Sequence, residues 1–305
     1  MTREAFGSMT RRGMARLFMG LVASVGVGCG SVAAQEAIQP FPDASRLVSI
    51  GGAITEIIYG LGEGDRLVAR DTTSTYPPQA EQLPDIGYMR ALSPEGVLSV
   101  GPSAILAMEG SGPIETMDTL KASRIPVVTV PEGYDREAIL RKIRVVGAAL
   151  NAEAKAEKLA LQVEADLDAA RKEARKQADG KRVLFVLSMQ GGRVMVAGKN
   201  TAADGIINMA GAENAMDGFS GYRQVSAEAV ISAAPDAVLM MARGGADHLT
   251  SEDVLSHPAI ASTPAGEGGA LIRMDGSYLL GFGPRTAQAV RDLAHALQET
   301  ETVTD

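Results

Sequence analysis

The sequence predicts an α/β fold of two similar lobes, each built on a central parallel sheet and joined by one long helix. Three observations carry this expectation. From Arg46 onward, short apolar runs alternate with helical segments, the pattern of strands covered by helices on both faces. A helical stretch from Asn151 to about Gln177 lies near the middle of the chain. Finally, residues 92–108 match residues 225–241 at an offset of 133, about half the mature chain.

Residues 1–34 read as an export signal and are set apart from the fold. Arg11, Arg12 and Arg16 form a basic start, Leu17–Cys29 an apolar stretch, and Val32-Ala33-Ala34 a small-residue cleavage site before Gln35. The apolar stretch is shorter than the roughly 20 residues a membrane-spanning helix needs. Cys29 offers an acylation site, although Gly26 stands where a bulky apolar residue is usual. Arg11-Arg12 also raises twin-arginine export, which Gly13-Met14-Ala15 supports poorly.

Strands are expected at Leu47–Ile50, Leu67–Ala69, Ala104–Ala107 and Val127–Val130, and again at Val183–Leu187 and Ala237–Met241. A helix from Ile54 should stop at Gly62. The long helix is expected to be capped by Asn151, striped by Leu159, Val163, Leu167 and Ala170, and stopped by Gly180. At a rise of about 1.5 Å per residue it would reach roughly 40 Å, enough to brace two lobes. The lobes are placed at 46–145 and 181–299, with the linking helix in 146–180.

The internal match is LSPEGVLSVGPSAILAM against VSAEAVISAAPDAVLMM, with 8 of 17 positions identical, among them Ser93/Ser226, Glu95/Glu228 and Pro102/Pro235. Each copy reads as a Ser-capped helix, a Pro-marked turn and a buried strand. Ala53, Ile57, Ile58 and Gly62 pair more weakly with Ala202, Ile206, Ile207 and Gly211. Such an offset is too long for a solenoid repeat and fits two related lobes.

Composition narrows the function. The 305-residue chain has 29 Lys and Arg against 37 Asp and Glu, a net charge of −8. Removing the signal leaves 25 basic and 36 acidic residues, a net of −11, and no cysteine. An acidic chain without a basic domain is a poor nucleic-acid binder. Three scattered histidines and one cysteine build neither a zinc module nor a disulfide scaffold. No GxSxG, GxGxxG or P-loop pattern occurs, so no enzyme activity is expected. The remaining chemistry sits in polar loops at predicted strand ends, where open α/β sheets bind ligands. These are Asp71–Pro78, Gly87–Arg90, Ser188–Arg193, Phe219–Arg223 and Arg243–Asp247. In an extended loop Tyr88 and Arg90 point the same way. A guanidinium beside a phenol favours phenolate, a hard anion suited to ferric iron. Ordinary loop packing is the other reading of Tyr88.

Six segments carry a more specific signal: RLVSIGGAITEIIYGLG (46–62), VARDTTSTYP (68–77), LPDIGYMRALSPEGVLS (83–99), NTAADGIINMAG (200–211), NAMDGFSGYRQVSAEAV (214–230) and LLGFGPRT (279–286). Through them the chain resembles the periplasmic haem-binding proteins of bacterial haem-uptake ABC importers. These are a branch of the class III, helix-linked periplasmic binding proteins. The general pattern is shared with cobalamin and ferric-siderophore binders, whereas DTTS, GYMR and GFGPRT are closer to the haem branch.

The resemblance implies that haem b is carried as cargo between the lobes and delivered to an inner-membrane permease and its ATPase. A periplasmic monomer with its signal cleaved near Ala34–Gln35 is expected. Tyr88 would be the axial iron ligand, with Arg90 assisting it or a propionate. Some members place a histidine where this chain has Met189, so Met189 is expected to touch porphyrin. Tyr76 is the alternative tyrosine, and Arg223 and Arg243 are propionate candidates by loop position. Glu95 and Glu228 would dock the two lobes on permease arginines. A chelatase-like enzyme is the reading from another class.

Overall fold

The structure, a computed structural model, describes residues 38–190, 193–242 and 249–302. The expected export signal, Arg243 and His248 lie outside the described residues.

The first lobe runs β1 (Leu47–Ile50), α1 (Gly52–Gly60), β2 (Leu67–Arg70), α2 (Pro94–Ser99), β3 (Ala104–Met108), α3 (Ile114–Ala122), β4 (Val127–Val130) and α4 (Arg136–Ala149). Its four strands are all parallel, in the order β2-β1-β3-β4. β1 and β3 are buried along their whole length, which is why they read as unbroken apolar runs. Leu47 pairs with Ala104, and Ile50 with Ala107.

The long helix is α5 (Glu153–Ala178). Asn151 does not cap it. Asn151 takes a left-handed φ of 54°, which asparagine tolerates, and turns the chain out of α4, leaving Ala152 at the cap position. The buried stripe is mostly alanine: Ala156, Ala160, Ala170, Ala174 and Ala178 join Val163 and Leu167. Small residues permit close approach, and a Cβ on Gly147 of α4 would fall 2.2 Å from the Ala156 Cβ.

The second lobe runs β5 (Arg182–Gln190), β6 (Arg193–Ala197), α6 (Ala202–Met209), β7 (Glu213–Asn214), β8 (Tyr222–Val225), α7 (Ala227–Ala233) and β9 (Ala237–Ala242). It continues with α8 (Ser251–Leu255), α9 (Pro264–Glu267), β10 (Leu271–Asp275), α10 (Gly276–Leu280) and α11 (Thr286–Thr302). α5 packs against α4 of the first lobe and α11 of the second, bracing both.

The second sheet is mixed rather than purely parallel. β7, β5, β9 and β10 run parallel and repeat the arrangement of the first lobe. β6 and β8 are added antiparallel in the order β10-β9-β5-β6-β8. The segments Ser188–Arg193 and Phe219–Arg223, expected as loops, therefore contribute residues to strands. Val194 and Val196 face the core while Arg193 and Met195 do not, an alternation only a few residues long. The internal repeat has a structural counterpart. Ser93 caps α2 by accepting from the Gly96 amide at 3.0 Å, and Ser226 caps α7 from Ala229 at 3.4 Å. Each helix then leads into the corresponding buried strand, β3 or β9.

Candidate functional site

A web of side-chain hydrogen bonds at the carboxyl ends of β1 and β2 builds the loop that presents Tyr88. Asp71 is fully buried. Its carboxylate accepts from the Gly51 amide at 2.8 Å, the Thr73 amide and hydroxyl at 2.9 and 2.7 Å, and the Ser74 hydroxyl at 2.7 Å. DTTS is thus a scaffold for the turn, its carboxylate spent inward.

Asp85 does the same job one loop later. It accepts from Arg70 Nη1 at 2.8 Å, the Thr72 hydroxyl at 3.0 Å and the Gly87 amide at 2.8 Å, while Thr72 N donates to Gly87 O at 3.0 Å. Gly87 is thereby pinned at φ 101°, a conformation that strains any side-chain-bearing residue.

Tyr88 follows, 46% exposed, its hydroxyl without a hydrogen bond among the described residues. Met89 turns inward against the core and its carbonyl accepts from Gly112 N at 2.9 Å. Arg90 turns outward again. The stretch is a turn rather than the extended loop expected, closed by Ala91 N donating to Tyr88 O at 2.7 Å, and the phenol and the guanidinium are both exposed.

The Arg90 guanidinium is felt in both lobes. Its positive charge acts on Tyr134, in the turn after β4, and on Tyr222 of β8. Burial, with the Glu132 carboxylate alongside, pushes the Tyr134 phenol up to about 12, against the pull of Arg90. Burial also raises Tyr222, offset by Arg90 and by the Thr201 and Ala203 groups at the start of α6. One arginine thus acts on two phenols, and Tyr222 packs edge-on to Phe185 at 6.4 Å.

Tyr222 is the residue that sequence reasoning missed. In this segment the sequence points to Arg223 instead. Successive strand residues point to opposite faces, and Arg223 lies over the Phe219 ring at 4.8 Å.

The other expected residues are placed as follows. Met189 lies within β5, paired with Val194 across the hairpin, half-buried and packed partly against the core. Tyr76 lies with its ring under the Arg285 guanidinium at 3.8 Å. Glu95 and Glu228 are exposed in the first turns of α2 and α7, without an ion-pair partner among the described residues. The Ser226 hydroxyl and a helix amide hold the Glu228 carboxyl below its ordinary value. His295 lies on the surface of α11, 3.6 Å from Glu299, and His257 accepts from the Ala259 amide at 3.2 Å.

Comparison with known proteins fits this architecture. Residues 47–278 match the model of the family described as periplasmic binding protein. A haem-binding protein, BhuT, solved with two haems, is 39% identical, superposes with a TM-score of 0.79, and covers 84% of this chain and 98% of its own. The periplasmic haem-binding protein RhuT from Roseiflexus sp. RS-1, in apo form, is 40% identical with a TM-score of 0.80, covering 85% and 99%. A substrate-binding lipoprotein of an ABC transporter in Bacillus subtilis, YvrC, is 27% identical over 91% of this chain and 94% of its own. A vitamin B12-binding protein of Vibrio campbellii is 29% identical over 69% and 74%. With a matched model spanning both lobes and the linking helix, this chain belongs to the periplasmic binding protein family.

Proposed function

We propose that this protein captures ferric haem between its lobes, outside the inner membrane, and hands it to an ABC permease and its ATPase without altering it. One observation carries the reading: Tyr88 stands exposed on a loop locked by two aspartate networks, one buried at Asp71 and one at the surface at Asp85, with Arg90 two residues on and its charge acting on Tyr222 of the other lobe. A phenol held open to solvent suits ligation of a hard ferric ion, and the arginine suits a propionate or the phenolate itself. The relatives that are 39% and 40% identical, BhuT and RhuT, are haem-binding proteins, which supports the same cargo here. The net charge of −11 after signal removal gives no long-range attraction for an anionic ligand, so recruitment falls to local arginines such as Arg90 and Arg223.

Within this reading haem b is the cargo, Tyr88 the iron ligand and Met189 an apolar contact on the opposite face. Tyr76 and Arg243 are the remaining pocket candidates. Glu95 and Glu228 are the docking carboxylates, one per lobe. A helix between parallel strands runs opposite to them, so the N-terminal turns of α2 and α7 stand at the carboxyl edges of their sheets. The B12-binding relative favours cobalamin as the second reading.

Titration of the purified protein with hemin, cyanocobalamin and a ferric siderophore separates these cargoes. A saturable, shifted Soret band with high-spin ferric features is expected with hemin alone. Saturable binding of cobalamin with no hemin response would replace the haem reading.

A further inference from the structure

The loop between α10 and α11, Gly281-Phe282-Gly283-Pro284-Arg285, belongs to the second lobe by sequence but is embedded in the first. Gly283 lies on α1: a Cβ added there would sit 3.3 Å from both the Ala53 Cα and the Glu56 Oε2. Phe282 is buried and packs edge-on to Tyr134 at 5.3 Å. Its φ of 49° is in the left-handed region, strained for a bulky side chain and kept only where surroundings impose it.

Lys142 of α4 supplies part of that imposition. Fully buried, it donates to the carbonyls of Gly133 at 3.1 Å and Phe282 at 3.3 Å, and lies 5.8 Å from the centre of the Phe282 ring. A buried ammonium is retained only where specific acceptors hold it, and here they come from both lobes. Arg285 closes the other end. Its Nη2 pairs with Glu56 of α1 at 2.5 Å, and its guanidinium lies 3.8 Å from the centre of the Tyr76 ring and 5.0 Å from that of Tyr278. Its Nε is buried without a hydrogen-bond partner among the described residues, a cost accepted for this position.

We propose that residues 281–285 form a second fastening between the lobes beside α5, with Lys142, Glu56 and Arg285 as positioning residues that preset the width of the ligand cleft. The fastening reaches both faces of that cleft. Tyr134, whose phenol feels the Arg90 charge, packs on Phe282 on one side. On the other side a Cβ on Gly205 of α6 would fall 2.7 Å from its Cβ. Thr55, the neighbour of Glu56, donates to Ser74, which donates to Asp71 under the Tyr88 loop. A flat, rigid ligand gains most from a gap set in advance, because no binding energy is then spent on bringing the walls together.

The part of this inference that concerns ligand affinity rests on the haem reading; the fastening itself does not. In a Cys29→Ser background, nitroxide labels at Lys121→Cys and Ser232→Cys report the interlobe distance in the unliganded protein. Lys142→Met and Arg285→Met are expected to broaden that distribution, and Arg285→Lys, which keeps the charge but not the planar stack, to do so less. Hemin affinity should fall about tenfold if the competent geometry drops to a tenth of the population. The ferric spectrum at saturation should stay that of the parent, because Tyr88 is untouched. If Lys142→Met fails to fold, Glu56→Gln keeps the volume and carries the same expectation. Distributions as narrow as the parent's in the folded variants overturn the fastening. Absence of hemin binding in the parent overturns the cargo and leaves the distance result standing.

Discussion

The positive charge of Arg90, in the first lobe, draws down the phenol of Tyr222, in the second, against the burial that raises it. Glu132 and Tyr134 complete the group, since each of the two phenols feels both Arg90 and Glu132. The cluster spans residues 132 positions apart in sequence and ties the chemistry of one wall to that of the other. It also leaves Arg90 with no carboxylate ion pair among the described residues, so its charge is available to a ligand.

Arg90→Ala should weaken hemin binding by about ten- to a hundredfold, the range of one charge-assisted hydrogen bond. Tyr222→Phe should cost less, up to about tenfold, because a neutral hydroxyl is the only group lost. Equilibrium titrations of the two variants and their combination check this. If the two effects simply add, the groups act on the ligand independently of one another.

Tyr88→Phe removes the phenol oxygen and keeps the ring. Its saturated hemin spectrum should lose the parent's ferric features, with affinity falling by more than the roughly tenfold typical of outer-shell changes. Gly87→Ala tests the loop rather than the ligand. At φ 101° the new side chain costs of order 1–3 kcal/mol, read as a loss in denaturant midpoint, although a Cβ there would meet nothing within 4 Å. Parent-like spectra in Tyr88→Phe would move the ligand role to another residue.

The lobes, the long helix and the repeat were legible in the sequence because each rests on a local pattern. Buried parallel strands such as Leu47–Ile50 read as apolar runs, and Ser93 and Ser226 announce their helices within four residues. The antiparallel β6 and β8 were not legible, since Arg193-Val-Met-Val and Tyr222-Arg-Gln-Val are short and carry charge on the exposed face. Tyr88 was found through a motif. Tyr222, Tyr134 and Lys142 were not, because their partners come from distant parts of the chain. Lys142 in particular has the sequence surroundings of a solvated helix lysine, and only the carbonyl of Phe282 makes its burial intelligible.

Glu95 and Glu228 stand in equivalent first turns, one per lobe, and neither stabilises the fold through an ion pair among the described residues. Replacing both with alanine should leave hemin affinity within about twofold and change stability by less than about 0.5 kcal/mol, as for exposed sites. Uptake of haem into vesicles carrying the cognate permease and ATPase should fall sharply. Undiminished uptake by the double variant would remove these carboxylates from docking.

Lys142 gives a pH dependence whose sign is fixed by its burial. Desolvation lowers its ammonium from 10.5 to about 8, opposed by Glu132 and Asp135 and aided by Arg141. Between pH 8 and 10.5 the unfolded chain holds this proton while the folded chain has released it, so stability rises with pH across that window. Below pH 8 both states are protonated and the folded state carries the full cost of the buried charge. Relative to Lys142→Met, which has no titrating group there, the parent should gain about 2 kcal/mol of unfolding free energy between pH 7 and 10. Urea unfolding of the two proteins across this range checks it, the difference cancelling the tyrosines that titrate nearby. A parent-minus-variant difference that is flat with pH would mean that Lys142 keeps an ordinary lysine's affinity for its proton, and that the carbonyls of Gly133 and Phe282 solvate the ammonium as well as water does.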